Sequence, residues 1–296
     1  MNSKLRLPNF LVIGAMKSGT SSICSDLNRH PDVFFPRTKE PNCLVRILRG
    51  DNLSLSDYSW YYKGQEEKIL GDGSTGNSKF PYRSSTAELA AKLLPTSTKI
   101  LYVIKDPIDR IERHIAHNLA AGELSSAKNA IFSDPQYVCL SAYQMQLSFW
   151  YNSFPSRSIL TIDFSNYLND RNSTIKRICS HLGIQSDPLL DLPPIFANSS
   201  SERRVPRSRF LNDFFSLSSA RRLRERLPFG LRRIASKALM KNAPSVDISL
   251  SPLEREYCAS MLSQLNGLVA PSSEQVHRIF HEFIKNAGQK DGMFPK

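Results

Sequence analysis

A three-layer α/β fold, a parallel sheet with helices on both faces, follows from three features of this sequence. Short apolar runs recur at 10–13, 68–71, 99–104 and 158–162, each about the length of one buried strand. Stretches with helical spacing lie between them, so strands and helices alternate through residue 185. The first strand passes directly into AMKSGTSSI, a glycine-containing turn that carries a lysine and opens a helix. A chain of 296 residues buries a substantial core. We expect one domain, with an α/β core over 1–185 and a basic loop and helical subregion over 186–296.

The first strand is Phe10, Leu11, Val12 and Ile13, ended by Gly14, and a helix runs from Thr20 to about Arg29. N–H groups in the first turn of a helix have no intrahelical partner and suit an anion, and Lys17 adds a full charge. Lys17, Ser18, Gly19, Thr20, Ser21 and Ser22 therefore form a candidate P-loop-like phosphate cradle. The alternative is an ordinary strand–loop–helix connection with a surface lysine. The nucleoside-triphosphatase pattern is disfavoured, because it places Lys-Ser/Thr after the second glycine and here Thr20 follows Gly19 directly.

Prolines 31, 36 and 41 punctuate the next segment, which reads as loop with a brief extended piece at 33–35. It contains Lys39-Glu40, either a solvated ion pair or a catalytic one. Trp60, Tyr61 and Tyr62 cluster in DYSWYYKG, as core or as a stacking surface for an acceptor. A strand at 68–71 leads into DGSTGNS, and a helix over 86–94 is stopped by Pro95. The strand KILYVI at 99–104 runs into KDP, where Asp106 caps a helix and Pro107 occupies its first turn. Lys105 at that strand end makes a second phosphate site. His114 and His117 lie three apart on this helix, with no acidic or cysteine partner that would make a metal pair. Further on, the spacing predicts helices over 137–154 and 167–182, the second closed by Gly183. Three prolines in 187–194 make a linker, followed by a basic loop, a basic helical stretch to 241, and helices near 253–265 and 273–285.

Composition narrows the class. Hydrophobic and charged fractions of 41% and 22% describe a soluble globular chain. No apolar run spans a bilayer, and the first strand begins at Phe10 with no room for a signal peptide ahead of it, so a cytoplasmic protein is expected. Five scattered cysteines without a C-x-x-C pair imply reduced thiols, with neither zinc nor disulfides. The net charge of +12 is concentrated: 201–241 holds twelve Arg or Lys against three acids, which leaves +3 for the rest. Such a cluster is either a solvated helix face or the footprint of an anionic partner.

The string P-x-F-x-x-I-G-x-x-K-S-G-T-S-S from Pro8 resembles the 5′-phosphosulfate loop of sulfotransferases that use 3′-phosphoadenosine 5′-phosphosulfate (PAPS). H-P-x-x-x-x-P-x-x-K-E-P, from His30 to Pro41, is similar to the segment after the first helix of that family. Its glutamate is the general base of the glycan-sulfating branch, and the resemblance gives that role to Glu40. Gly71, Asp72 and Ser74 partly match Gly-Glu-x-Ser-Pro-x-Tyr. Some members carry a sulfate-contacting lysine beside the acid; here that position is Gly73, with Lys79 as a stand-in. In Arg-Asp-Pro-x-x-Arg-x-x-Ser, the outer arginine and the serine hold the 3′-phosphate. Lys105 and Arg113 replace them, which keeps charge at the first position but loses the bidentate fork.

The run Y-x-x-x-L-x-x-W from Tyr143, the strand ending at Asp163 and the helix ending in Leu-Gly follow the family order. The stretch from Asn198 to Ser208 resembles a bacterial segment that closes over the nucleotide, making Arg203, Arg204 and Arg207 candidate phosphate contacts. The resemblance, nearest to the bacterial and glycan-sulfating branch, implies PAPS as co-substrate and in-line sulfuryl transfer to a hydroxyl or amine. The acceptor would be a carbohydrate, a lipid or another small molecule. Glu40 would be the base, and Lys17 would stabilise the leaving 5′-phosphate. No metal and no nucleic-acid partner are expected, and 201–241 is available for peripheral membrane contact. Two other classes are a nucleotide kinase and a non-catalytic or decayed module that binds nucleic acid or acidic lipid through 201–241.

Overall fold

The computed structural model describes residues 5–195, 204–206, 240–242 and 246–291. The chain gathers into two compact units, one of Met1–Ile111, Ile131–Ala197 and Leu250–Lys296, the other of Glu112–Ala130 and Asn198–Ser249. The last two helices fall in the first unit.

Among its described residues the first unit contains five strands: β1 (Phe10–Gly14), β2 (Val33–Phe34), β3 (Ile69–Asp72), β4 (Lys99–Ile104) and β5 (Ile159–Asp163). They pair in parallel in the order β2-β3-β1-β4-β5. All five β1 residues are buried, as a central strand covered on both faces requires. Among the described residues the helices are α1 (Thr20–Leu27), α2 (Cys43–Leu48), α3 (Leu55–Trp60), α4 (Ala87–Leu93), α5 (Pro107–Ala121), α6 (Ala130–Ser133), α7 (Gln136–Cys139), α8 (Tyr143–Ser153), α9 (Phe164–Asn169), α10 (Arg171–Leu182), α11 (Asp187–Leu190), α12 (Pro252–Asn266) and α13 (Ser273–Asp291). Among the described residues, no helix is long and apolar enough to cross a membrane.

Alternation along β1 and β4 divides the core. Leu11, Ile13, Ile100 and Tyr102 pack with Leu44, Tyr58, Ala90, Leu147 and Trp150 of α2, α3, α4 and α8. Phe10, Val12, Leu101 and Val103 pack on the other face with Ile23 and Leu27 of α1 and with Tyr167, Ile175 and Ile178 of α9 and α10. All the strands expected from the sequence form, and the three layers follow from their two-residue period.

Two helices read as continuous are interrupted. The stretch 137–154 divides into α7 and α8, and the wedge is Arg110 of α5, which is fully buried. Its Nη2 donates to the Tyr137 carbonyl and its Nε to the Ser141 hydroxyl, which in turn donates to the Pro107 carbonyl at 3.0 Å. A continuous helix would give the Tyr137 carbonyl to the Ser141 N–H, which instead bonds the Val138 carbonyl at 2.8 Å. The stretch 167–182 divides at Asp170, whose carboxylate caps α10 by accepting from the Ser173 N–H at 3.0 Å.

In the second unit, Arg204–Pro206 (β6) and Met240–Asn242 (β7) form an antiparallel ribbon, with Arg204 opposite Asn242. The sequence had suggested loop and helix there. Arg204 is a strand residue, while Arg203 and Arg207 lie outside the described residues.

Candidate active site

From β1 the chain runs out to β2, returns to β3 on one side of β1, then crosses to β4 on the other. The loop 15–19 therefore leaves the carboxyl end of the central strand at a topological switch point, where open α/β sheets form ligand crevices. The Ala15 N–H donates to the Val103 carbonyl at 2.7 Å and ties the loop to β4, and the Ser18 N–H closes a tight turn on the Ala15 carbonyl at 3.1 Å. Lys17 and Gly19 both take left-handed backbone angles, φ 70° and 85°. Glycine is required at 19 on a second ground, since a Cβ there would lie 2.3–2.5 Å from ring carbons of Phe164. The Gly19 carbonyl accepts from Ser22 and Ile23 N–H and starts α1. Lys17, Ser18, Gly19, Thr20, Ser21 and Ser22 thus form one turn and helix start, as the sequence pattern requires. Ser18 is buried, close to the hydroxyl of Tyr143 on α8.

Lys39 and Glu40 reach the same place from the loop after β2. The Lys39 ammonium donates to Thr20 Oγ1 and Ser21 Oγ, both at 3.1 Å, and lies 3.4 Å from Glu40 Oε1. The Thr75 hydroxyl donates to the Glu40 carboxylate at 3.2 Å. The Glu40 side chain is 37% exposed, so its carboxylate is held on one side and open on the other. Arg83 lies in its electrostatic neighbourhood. Burial and Arg49 pull the Arg83 pKa down, while Glu40 opposes them.

A buried scaffold fixes this cluster. Asp72, at the end of β3, is fully buried; it accepts from Tyr58 Oη at 2.7 Å and from the Ser74 N–H at 2.9 Å. Burial pushes its pKa up, opposed by the bonds from Ser74 and Tyr58. Ser74 Oγ accepts from the Asn42 N–H at 2.9 Å, and Asn42 Nδ2 donates to the Glu40 carbonyl at 3.0 Å. The backbone of Glu40 is therefore tied through Asn42 and Ser74 to the end of β3. The aromatic cluster separates by role: Tyr58 and Tyr62 are buried supports, whereas Trp60 is turned outward. His30 is also structural, with Nδ1 accepting from the Asp32 N–H and Nε2 donating to the Gln185 carbonyl at 2.7 Å.

The second expected phosphate site is less complete. Lys105 follows β4, and its ammonium is ion-paired with Asp109 one helical turn on. Arg113 belongs to the second unit. Lys79 approaches Met16 Sδ in the phosphate loop, 3.0 Å away. The sequence reading weighed Lys39 only as the ion-pair neighbour of Glu40 and gave no role to Asn42 or Thr75, the last of which the fold brings to Glu40 from a separate loop. The polar run DGSTGNS after a strand was the available signal for Thr75.

A family model described as Sulfotransferase domain matches residues 7–203. The heparan sulfate glucosamine 3-O-sulfotransferase 3B1 of Homo sapiens is 24% identical over 199 residues, covering 61% of this chain and 47% of that protein. The bifunctional heparan sulfate N-deacetylase/N-sulfotransferase 2 of Bos taurus is 24% identical over 205 residues, covering 60% of this chain and 22% of that protein. The chain therefore spans less than half the length of either relative. A solved sulfotransferase from Alicyclobacillus acidocaldarius superposes with a TM-score of 0.53 at 23% identity, over 66% of this chain and 86% of its own. Because the family model covers more than half of its length, the chain belongs to the sulfotransferase domain family.

Proposed function

We propose that this sulfotransferase moves the sulfuryl group of PAPS to a hydroxyl or amine of a carbohydrate acceptor, with Glu40 as general base. The observation that carries the reading is the junction of two functional halves. The hydroxyls that open α1 and the Glu40 carboxylate are bridged by one ammonium, that of Lys39, beside the Lys17 loop.

The donor set fits a phosphosulfate. A helix N-terminus, the Thr20 and Ser21 hydroxyls and Lys39 meet beside the loop that carries Lys17 at the carboxyl end of β1, and Lys105 follows the neighbouring strand. In the transfer, the acceptor oxygen or nitrogen bonds to sulfur as the bond from sulfur to the 5′-phosphate oxygen breaks. The bonding pair leaves on that phosphate, and the acceptor proton passes to Glu40. Lys17 and the first-turn N–H groups stabilise the charge that develops on the leaving phosphate. Thr75 holds the Glu40 carboxylate toward the centre, which requires only hydrogen-bond reach to the acceptor proton. The names of the heparan sulfate relatives and the cationic surroundings of Glu40, Lys39 and Arg83, support a carbohydrate acceptor that itself carries negative charge.

Calorimetry with adenosine 3′,5′-bisphosphate against AMP, with EDTA present, tests co-substrate choice and independence from metal. The bisphosphate should bind at least tenfold tighter through its 3′-phosphate. Transfer of labelled sulfate from PAPS to de-O-sulfated heparan chains tests the acceptor class. Glu40→Gln should lower turnover about 10²-fold or more and leave bisphosphate binding intact. Near-normal turnover in that variant removes Glu40 from the mechanism, and failure of the wild-type chain to bind PAPS overturns the reading. Fractionation of cells that express the chain tests the cytoplasmic setting we also propose.

A further inference from the structure

The geometry points to Lys39 as a second cation of the transfer centre, lying in the channel that opens because residue 73 is glycine. This inference rests on the sulfuryl-transfer reading and identifies a further catalytic residue within it. A Cβ built on Gly73 would lie 3.1 Å from Lys39 Cε, 3.2 Å from its Cγ and 3.1 Å from Cys24 Sγ. The lysine stem therefore lies flat over the glycine. Gly73 is not among the residues with left-handed backbone angles, so the main chain does not itself demand glycine there. What the position needs is room. The Gly73 N–H donates to the Lys39 carbonyl at 3.2 Å, which fixes the two segments against each other and sets the direction of the stem.

Three ligands surround the ammonium at the end of that stem. Two are hydroxyls of the first turn of α1, and the third is the Glu40 carboxylate. A cation held between an anion-binding helix start and a base is placed to share its charge with both. When an anion occupies the helix start, Lys39 can turn its donors to that anion and loosen its contact with Glu40, whose carboxylate then accepts the acceptor proton. Charge building on the sulfate and leaving-phosphate oxygens during transfer strengthens the same contact. A plain strut would need the stem, whereas this role needs the charge.

The two are separable in the full chain. Lys39→Met keeps the stem, and Lys39→Ala/Gly73→Lys empties the channel and supplies an ammonium from the other side of it. We expect Lys39→Met to melt within about 2 °C of wild type, while its calorimetric affinity for PAPS without acceptor falls about tenfold and its turnover about 10²-fold. The double variant should recover most of both losses, whereas Gly73→Lys alone, with two stems in one channel, should not match wild type. Wild-type affinity and turnover in Lys39→Met would overturn the inference while leaving the proposed activity standing. So would a double variant that folds and recovers nothing. A wild-type chain that neither binds PAPS nor transfers sulfate would overturn the activity itself.

Discussion

Alanine at position 19 tests whether the phosphate loop is shaped by its backbone or by its neighbours. Two costs follow from the structure. At φ 85° a residue with a Cβ incurs the left-handed penalty of about 1–2 kcal/mol. The added carbon would also meet the Phe164 ring at 2.3–2.5 Å, and overpacking of this kind costs about 1–3 kcal/mol. Phe164 cannot yield freely. Its ring stacks on Tyr167 with centroids 5.6 Å apart, and the Tyr167 hydroxyl is bonded to buried Asp26 at 2.8 Å. The sum is about 2–5 kcal/mol, which in a protein of this size lowers the melting midpoint by roughly 3–8 °C. Thermal unfolding of Gly19→Ala, Phe164→Ala and the double variant separates the two costs, because only the clash is relieved when Phe164 is truncated. The coupling energy should be about 1–3 kcal/mol, with 1–2 kcal/mol remaining. A Gly19→Ala loss below about 1 kcal/mol, or strict additivity in the cycle, would refute the argument.

Other perturbations have defined directions. Arg171→Ala removes the cation nearest fully buried Asp26, held by Arg171 Nε at 2.6 Å, and leaves the Tyr167 hydroxyl and Arg29, so urea denaturation should register a loss of about 1.5–3 kcal/mol; a loss under 1 kcal/mol would be inconsistent with the geometry. Thr75→Val removes the hydroxyl that holds the Glu40 carboxylate, and turnover should fall about tenfold with bisphosphate affinity unchanged. Calorimetry alongside the rate assay checks both halves of that statement. His181 has its pKa lowered, first by burial and then by Lys99. The unfolded chain therefore takes up a proton near pH 6.5 that the folded chain resists, and stability is lost as pH falls through that value. In His181→Gln the urea midpoint should fall less between pH 7.5 and 5.5 than in wild type, and identical slopes would exclude the effect.

The strands were legible because β1 and β4 are buried on both faces and read as unbroken apolar runs. The loop was legible because Gly19 and the residues around it satisfy local backbone rules. What escaped was governed by distant contacts. Nothing within 137–154 breaks a helix; the break comes from Arg110, 27 residues before Tyr137, diverting a carbonyl. Asp170 was overlooked as a cap because apolar spacing continues across it. At the candidate site, Glu40 was singled out by its motif. Its surroundings join Thr75 to Glu40 across 35 residues and Lys39 to Thr20 across 19. Such separations carry no periodic signal, and only the parallel order of β2, β3 and β1 brings them together.

The cysteines of this chain have a use apart from chemistry at the site. They are distributed one each to α1, α2, α7, α10 and α12, all five are buried, and none is in a disulfide. Burial pushes the thiols of Cys24, Cys43 and Cys139 up to about 12 and that of Cys179 to about 11. Because the thiolate is the form that alkylates and all five sulfurs are buried, the native protein should react slowly with maleimides and iodoacetamide at neutral pH. Each sulfur becomes visible only when its own helix lifts from its neighbours. The wild-type chain thus carries five built-in clocks, and the order in which they start under pulsed alkylation ranks the local opening of its layers.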